Sequence, residues 1–216
     1  MIMRKGSDSY SVLRYGICIL LLFLCVNAVA QRVTVGRKGG RGYESGRYSV
    51  SAMYNIMWIE IDKDNDITGN GVSLEILDRA YITPAEAFMV EWGLRGTYIV
   101  SDDKYNGLDA DLKYAFLSLP VNFRLEINKK GSGLVVSPLL GVMLRWNLMG
   151  EHEIRDGGRT ISVDYFGNEN ERVFGHSRWE RIRFGWQIGM SIDYKWLHTA
   201  VLYDFHSLSF ALGMNF

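Results

Sequence analysis

The sequence predicts an all-β protein: an eight-stranded antiparallel transmembrane β-barrel that follows a cleaved signal peptide. Three observations lead to this prediction. The amino-terminal residues show the order of charged and apolar residues typical of a secretory signal. The remaining chain alternates apolar and other residues with a period of two, which indicates strands with two different faces. In the six clearest segments the apolar face carries no charged residue, which favours lipid over water on that side.

Length and composition exclude several other classes of protein. The chain has 216 residues, 24 basic and 24 acidic, and 48% of its residues are hydrophobic. A zero net charge argues against a nucleic-acid partner, since general polyanion binders are basic. The charges are too many and too scattered for a bundle of membrane helices, and the apolar content is too high for a disordered chain. The length suits one domain.

Residues 1–30 are predicted to be a signal peptide. Three basic residues precede an apolar run over residues 17–26, and the segment ends in Ala28-Val29-Ala30. A basic region, a short apolar core and a small-x-small site are the three parts of a cleaved secretory signal. The apolar run has about half the length that a membrane-spanning helix needs. We therefore expect cleavage after Ala30 and export across the inner membrane.

Both cysteines of the chain, Cys18 and Cys25, lie within this predicted signal. A lipoprotein signal at Cys25 is not expected, because Leu24 stands where a small residue should precede the lipidated cysteine. The predicted mature chain, residues 31–216, therefore has no thiol, and its 21 basic and 23 acidic residues give a net charge of −2. Disulfides and cysteine-based metal sites are not expected in it.

The mature chain is predicted to consist of a flexible periplasmic segment, residues 31–47, followed by the barrel, residues 48–216. Eight alternating segments are predicted as strands: 48–61, 68–77, 88–100, 112–127, 134–149, 181–194, 197–205 and 207–216. Most reach the nine to eleven residues that a tilted strand needs to cross a bilayer. Tight turns at 128–133 and 195–196 alternate with longer polar loops at 101–111 and 150–180, as in outer-membrane barrels. The link at 205–207 is shorter than this arrangement predicts.

The fourth segment shows the two faces most clearly. Its apolar face reads Ala115, Leu117, Leu119, Val121, Phe123, Leu125 and Ile127, and its other face reads Phe116, Ser118, Pro120, Asn122, Arg124 and Glu126. Across the last six segments the second face carries eight charges, which are predicted to form a cluster inside the barrel: Glu91, Arg95, Arg124, Glu126, Arg145, Arg183, Asp193 and Asp204. An eight-stranded barrel is narrow enough for its own side chains to fill, so these charges are expected to pair and close the interior.

Aromatic residues gather near the ends of the segments on the apolar face. They resemble the aromatic girdles that lie at the headgroup level of a membrane, and the predicted girdle comprises Trp58, Trp92, Tyr98, Trp146, Trp186 and Tyr194. This pattern predicts outer-membrane lipid as the surroundings of the protein.

Two motifs that resemble metal sites lack the residues or the spacing that such sites need. The stretch from Asp62 to Asp66 begins like a calcium-binding loop, but Ile67 and Ser73 occupy the positions where such a loop needs Gly and Glu. His152 and His176 lie in the predicted 150–180 loop with several glutamates, yet their spacing matches no zinc motif, and solvated loop residues are expected. We expect neither a metal nor a cofactor.

An enzymatic hypothesis rests on Asp204, His206 and Ser207, which supply the residue types of an outer-membrane lipid hydrolase. Adjacent residues on a strand point to opposite faces, so His206 and Ser207 are badly placed to share a proton. The sequence therefore favours a protein without catalytic residues.

Four stretches are similar to a known family, the small porin-like outer-membrane β-barrels often called PorT-like: residues 117–125 (LSLPVNFRL), 137–144 (SPLLGVML), 184–190 (FGWQIGM) and 212–216 (LGMNF). The resemblance covers residues 48–216. It implies a place in the cell outer membrane and a carboxy-terminal signal for the barrel assembly machinery, formed by Phe210, Leu212, Met214 and Phe216. It implies no reaction, since most members of the family have none assigned.

The leading hypothesis is a non-enzymatic outer-membrane barrel with a structural or surface-interaction role and a closed polar interior. Recognition of a protein partner is expected at the extracellular loops, above all at the 150–180 loop. Three alternatives remain open: a secretion or assembly accessory, a small-solute porin and a lipid hydrolase.

The signal peptide makes a direct prediction about the mature protein. Intact-mass measurement of the membrane-extracted protein should give the mass of residues 31–216, with Gln31 as the first residue. A mass that includes residues 1–30 would contradict cleavage and indicate an amino-terminal anchor instead.

Overall fold

The computed structural model describes residues 48–62, 65–82, 88–105, 108–128, 133–156, 159–164, 166, 181–204 and 206–216. The predicted signal peptide, residues 1–30, and the predicted leader, residues 31–47, lie outside the described residues. None of the described segments forms a helix long and apolar enough to cross a membrane.

The described chain forms ten strands. In chain order they are β1 (Tyr48–Asp62), β2 (Asn65–Tyr81), β3 (Phe88–Tyr105), β4 (Leu108–Leu125), β5 (Ile127–Asn128), β6 (Leu134–Asp156), β7 (Arg159–Asp164), β8 (Ile182–Tyr194), β9 (Leu197–Asp204) and β10 (Ser207–Asn215). Eight of them close into an antiparallel barrel in the order β1-β2-β3-β4-β6-β8-β9-β10, and β10 pairs with β1. Strand β5 is a two-residue strand on β6, and β7 pairs with β6 beyond the barrel. The predicted all-β fold, an eight-stranded antiparallel barrel, is confirmed.

Pairing between the first and last strands closes the barrel. The ladder runs from Ser49 opposite Asn215 to Met57 opposite Ser207. At its end the backbone N–H of Tyr48 donates to the carbonyl of Phe216 at 3.1 Å, and the N–H of Phe216 donates to the carbonyl of Tyr48 at 2.8 Å. Closure removes the free edges of the eight-stranded sheet, so that its backbone groups bond within the sheet. We call this end of the barrel the terminal end and the opposite end the far end.

Alternation along each strand separates the two faces as the sequence predicts. In β8, Ile182, Phe184 and Ile188 are exposed on the outer face, whereas Gln187, Ser191 and Asp193 are buried in the lumen. Exposed large apolar side chains occur on all eight barrel strands, so an apolar belt surrounds the molecule: examples are Tyr54, Leu74, Leu94, Phe123, Leu140, Phe184, Val201 and Leu212.

One predicted loop is largely strand and a second begins as strand, and this is a correction. The predicted loop 101–111 is occupied by the end of β3 and the start of β4, whose ladder continues to Tyr105 opposite Leu108. The predicted loop 150–180 begins with the last residues of β6, which pair with β4 on one side and with β7 on the other. These residues are polar on the outer face, so hydrophobic alternation fades while the backbone ladder persists. Together, residues 101–105, 108–114, 149–156 and 159–164 form a sheet that we call the strand extension.

A β-bulge marks where the strand extension leaves the belt. Opposite Ala115 and Phe116 of β4, strand β6 places Met149 and Asn147, so Leu148 is an extra residue. Leu148 and Met149 are consequently both exposed, and from there on the even-numbered residues of β6 point inward. A bulge of this kind exchanges the inward and outward faces of the strand for the residues that follow it.

The lumen changes in character from one end to the other. Towards the far end it is filled by a cluster of buried apolar and aromatic side chains: Met57, Ile59, Ile99, Leu112, Tyr114, Phe116 and Phe166. Tyr114 lies 5.5 Å from Phe116 and 5.7 Å from Phe166 between ring centroids. Towards the terminal end the buried side chains are mainly polar or charged, with apolar ones such as Met89 and Val135 among them. The sequence predicted only the polar part, because apolar residues on the inner face do not stand out from those of the outer face.

Candidate functional site

Among the residues that the structure describes, eight charged side chains are buried in the lumen, each with at most 6% of its surface exposed. They are four arginines and four carboxylates: Arg79, Arg95, Arg124 and Arg145 with Glu75, Glu91, Asp193 and Asp204. Charges removed from water in this way are stable only when they are paired and their hydrogen-bonding capacity is used.

Arg124 is the centre of the polar network near the terminal end. Its Nη1 donates to Oε1 of Glu91 at 2.5 Å, and its Nη2 donates to Oδ2 of Asp193 at 2.6 Å. The same Nη2 donates to Oγ of Ser137 at 3.1 Å. One guanidinium on β4 therefore joins a carboxylate on β3 to a carboxylate on β8, two barrel strands away on its other side.

Two further residues complete a cycle across the lumen. Arg79 donates from Nε to Oε1 of Glu91 at 2.7 Å and from Nη1 to Oδ1 of Asn215 at 2.7 Å. Asn215 in turn donates from Nδ2 to Oδ1 of Asp193 at 2.9 Å. We call Arg79, Glu91, Arg124, Asp193 and Asn215 the lumen ring. Its members come from β2, β3, β4, β8 and β10, so the hydrogen bonds of the ring cross the lumen between different sides of the barrel.

Further polar side chains bond to one another in the lumen on the far-end side of the ring. Arg95 donates from Nε to Oε2 of Glu75 at 2.7 Å. Gln187 Nε2 donates to Oδ1 of Asn122 at 2.5 Å. A chain of neutral hydrogen bonds joins Ser209, Asn55, Ser73 and Thr97. These contacts join strands that are not all neighbours, which stiffens the barrel from within.

Arg145 occupies the boundary between the polar and apolar parts of the lumen. Its Nη2 donates to Oδ2 of Asp204 at 3.1 Å, and its Cζ lies 4.2 Å from the centroid of the Phe116 ring. A cation over an aromatic face is attracted by the ring quadrupole, so this guanidinium suits a site with an apolar cluster on one side.

Six of the eight predicted interior charges are buried in this lumen: Glu91, Arg95, Arg124, Arg145, Asp193 and Asp204. Glu126 and Arg183 are only half-buried. Glu126 follows the last residue of β4 and Arg183 is the second residue of β8, so both lie near strand ends, where the lumen opens. Glu126 accepts a hydrogen bond from the Tyr81 hydroxyl at 3.0 Å.

Sequence reasoning missed Glu75 and Arg79, because the charge count covered only the six clearest segments. The alternation of Val72, Leu74 and Ile76 carried the necessary signal, since it assigns the intervening residues to the lumen. His198 was also missed as an interior residue; its Nδ1 lies 2.6 Å from Oδ1 of Asp193.

The predicted girdle residues differ in exposure. Tyr98, Trp146 and Tyr194 are exposed, and Trp58 and Trp186 are half-buried. Trp186 packs edge-on against Tyr203 with ring centroids 6.4 Å apart. Trp92 is only 9% exposed, which corrects its assignment as an exposed girdle residue. Trp92 lies on the outer face of β3, as Leu94 does. The alternation predicts the face on which a side chain lies, but it does not predict how much of that side chain its neighbours cover.

All four residues of the predicted assembly signal are exposed on the outer face of the last strand or just beyond it: Phe210, Leu212, Met214 and Phe216. The inward side chains of the same strand are Ser207, Ser209, Ala211 and Asn215, all buried. Whether the assembly machinery reads the exposed set stays a prediction.

The histidines do not form a metal site in the part of the chain that the structure describes, where no group of His, Cys, Asp and Glu is placed to hold an ion. His152 is buried on β6 and is not a solvated loop residue, which is a correction. The bulge at Leu148 turns it into the lumen. His176 lies outside the described residues, as does Glu180.

The hydrolase hypothesis is not supported by the arrangement around Asp204. The Ser207 hydroxyl donates directly to Oδ2 of Asp204 at 2.8 Å, and the backbone N–H of His206 donates to Oδ1 at 2.8 Å. A catalytic triad needs the imidazole between the hydroxyl and the carboxylate. Here the carboxylate contacts the hydroxyl itself and is also held by Arg145.

Comparison with known proteins adds a likeness of fold. No protein-family model matches the chain, and no curated protein matches it; the resemblance to PorT-like barrels therefore stays a prediction. Among solved structures, the chain is similar to Ail, the attachment invasion locus protein of Yersinia pestis, with 14% identity and a TM-score of 0.43, over 80% of this chain and 98% of that one. The structure of Ail in complex with the heparin analogue sucrose octasulfate matches with 13% identity and a TM-score of 0.42, over 80% of this chain and 98% of that one. Neisserial surface protein A matches with 12% identity and a TM-score of 0.43, over 80% of this chain and 97% of that one.

The lumen ring predicts a large loss of stability on removal of its central guanidinium. Arg124→Met leaves Glu91 and Asp193 buried without their shared partner, which should lower the free energy of unfolding by about 3–5 kcal/mol. Urea unfolding of the refolded barrel in lipid vesicles, followed by tryptophan fluorescence, measures this change. The matched control is Arg155→Met, which removes an exposed ion pair with Asp111 and should cost under about 1 kcal/mol. Equal, small losses in both variants would show that the ring adds no net stability.

Proposed function

We propose that this chain is a non-enzymatic outer-membrane β-barrel with a closed lumen and a structural or surface-interaction role. The observation that carries the proposal is the apolar belt, which exposes large side chains on all eight barrel strands of a fold that buries its charges inside. A soluble protein rarely exposes a contiguous apolar patch larger than a few hundred square ångströms. A belt around a closed barrel suits a bilayer.

The height of the belt agrees with a bilayer core. On β4 the outward residues from Ala115 to Leu125 are uncharged, and the first outward charges towards the far end are Lys113 and Asp111. Ten residue steps span about 33 Å along a strand. At a tilt of about 45° this is roughly 23 Å along the membrane normal, close to the apolar band of about 25 Å in outer-membrane barrels.

A closed lumen argues against the porin alternative. The lumen ring crosses the barrel near the terminal end, and the cluster around Phe116 and Phe166 fills it towards the far end. Eight strands leave an interior that side chains can fill. The protein is therefore proposed to act at the membrane surface and not as a conduit for solutes.

The strand extension is the proposed recognition surface, and it replaces the 150–180 loop in that role. Its outer face carries paired charges: Lys113 lies 3.6 Å from Glu153, and Arg155 pairs with Asp111. Ladders of β4 with β6 and of β6 with β7 hold these side chains on a sheet. A partner would meet a preformed polar surface, which lowers the entropy lost on binding.

Membrane placement predicts a depth-dependent penalty for charge. Leu140 lies on the outer face midway along the part of β6 that precedes the bulge, residues 134–148, and Tyr194 lies at the terminal end of β8. Leu140→Lys should lower the free energy of unfolding in lipid vesicles by about 2–4 kcal/mol, whereas Tyr194→Lys should cost only about 0–1 kcal/mol. Equal effects at both positions would contradict the proposal, because they would mean that neither site lies at the centre of a bilayer.

The orientation of the barrel can be tested with single cysteines, since the predicted mature chain has none. Glu153→Cys lies in the strand extension, and Lys195→Cys lies in the β8–β9 turn at the terminal end. A membrane-impermeant maleimide should label Glu153→Cys on intact cells and Lys195→Cys only after the outer membrane is opened. The reverse labelling pattern would invert the topology, and recovery of unmodified protein in the soluble periplasm would exclude the outer-membrane proposal.

A further inference from the structure

The pairing of β10 with β1 closes the barrel, and no turn fixes its register. The other barrel pairings join barrel strands that are consecutive in the chain, whereas β1 is the first of them and β10 the last. In a hairpin the length and type of the turn set the register. The register of β10 on β1, with Ser49 opposite Asn215, is therefore set by the side chains of the two strands.

The outer face of this seam does not distinguish the observed register from its nearest alternatives. Its cross-strand pairs are all apolar: Val50 with Met214, Ala52 with Leu212, Tyr54 with Phe210 and Ile56 with Leu208. A slip by one residue would turn the outward side chains of β10 into the lumen, so the alternation excludes it. A slip by two residues keeps apolar side chains opposite one another and preserves the antiparallel hydrogen-bonding pattern. Two such slips exist: Ser207 faces Asn55 in what we call the Ser207 register, and Ala211 faces Asn55 in the Ala211 register.

The inner face of the seam carries two buried amides that bond across it. Asn55 on β1 accepts at Oδ1 from the Ser209 hydroxyl on β10 at 2.8 Å, and its Nδ2 donates to Ser73 Oγ on β2 at 2.7 Å. Asn215 on β10 accepts at Oδ1 from Nη1 of Arg79 on β2 at 2.7 Å. Side-chain hydrogen bonds therefore cross the seam near both of its ends.

The Ala211 register removes both of these bonds. It places Asn55 opposite the methyl group of Ala211, which belongs to a buried apolar cluster. It also moves Asn215 about 7 Å along β1, away from Arg79, whereas a hydrogen bond allows about 3.2 Å between donor and acceptor. The backbone does not oppose this slip, because β1 continues beyond Met57 and the ladder keeps its length. Buried amides left without partners are what disfavours this register.

The Ser207 register meets a steric obstacle instead. It brings Ala211 opposite Ser51, where Gly213 lies in the observed register. A Cβ added to Gly213 would lie 2.3 Å from the Val50 carbonyl oxygen and 2.7 Å from Ser51 Cα. The seam is too narrow at this level for the methyl group of Ala211, and only glycine allows the two backbones to approach so closely.

We propose that Asn55 and Asn215 are positioning residues that select the register in which β10 closes the barrel on β1. Gly213 excludes the slip that the amides leave open. The register at the seam sets the stagger of the closed sheet and hence the tilt of its strands. Side chains inside the lumen therefore decide the geometry of the wall, while the outer face supplies only its apolar character.

Pairs of cysteines on the outer face report the register, since the predicted mature chain has no cysteine. Ala52→Cys with Leu212→Cys occupies an observed cross-strand pair, whose Cα atoms lie about 5.5 Å apart. Ala52→Cys with Met214→Cys is diagonal, at about 7–8 Å, and becomes a direct pair in the Ala211 register. A disulfide needs a Cα separation below about 7 Å. In the refolded mature barrel, copper phenanthroline should therefore oxidise the first pair and leave the second reduced.

Removal of both amides should release the register. Asn55→Leu with Asn215→Leu should raise the yield of the disulfide between positions 52 and 214 at least about tenfold, because buried amides no longer oppose the Ala211 register. The matched control is Asn122→Leu with Gln187→Leu, which removes two buried, hydrogen-bonded amides away from the seam. The control should give the disulfide between positions 52 and 212 alone.

A heat-modifiable gel shift reports whether each variant has formed a barrel. If the double leucine variant at the seam does not fold, Asn55→Leu alone decides, because Asn215 then keeps its bonds to Arg79 and Asp193. Its yield of the slipped disulfide should still exceed that of the control. A folded seam variant that gives only the disulfide of the observed register would overturn the proposal, as would equal slipped yields in the seam variant and the control.

Discussion

The hydrogen bonds of Arg124 to Glu91 and Asp193 are the interaction on which the rest of the lumen depends. A charge in a narrow barrel cannot turn to bulk water, so it must find its partner across the lumen. Arg124 does so in two directions at once, with donors 2.5 Å and 2.6 Å from the two carboxylates. That geometry links β3 to β8 across the lumen at this level. The smaller inward side chains, such as Ser137 and Ser191, fit the space that remains.

The same strands face a different requirement outside. Because side chains alternate, every residue that supplies a lumen charge has neighbours that must suit the outer surroundings. Arg124 lies between Phe123 and Leu125, which are both exposed. This coupling explains why the overall composition resembles that of a soluble protein although the outer face is apolar. It also explains why a single extra residue matters: the bulge at Leu148 exchanges the two faces and brings His152 inside.

Sequence alone predicted what depends on alternation and failed where the determinant is non-local. The eight barrel strands and the inward position of Arg124 and Asp193 follow from the period of two. The strand extension was missed because its ladders are held by backbone hydrogen bonds, which leave no hydrophobic pattern. For the lumen ring, the sequence predicted only that interior charges pair within a cluster. Which arginine meets which carboxylate depends on the closure of the barrel, and Arg79 and Asn215 are 136 residues apart.

The last strand, β10, meets both the requirement for paired charges in the lumen and the requirement for an apolar outer face. Its outward residues Met214 and Phe216 are exposed, and the resemblance implies that this face is read during assembly. Between them, Asn215 points inward and bonds to both Arg79 and Asp193. The bond to Arg79 crosses β1, the strand with which β10 closes the barrel. The side chain that completes the lumen ring is therefore placed correctly only when β10 has paired with β1. Closure of the wall and completion of the lumen ring therefore depend on the same pairing of β10 with β1, and a barrel open at this seam would leave the charges of the ring only partly paired.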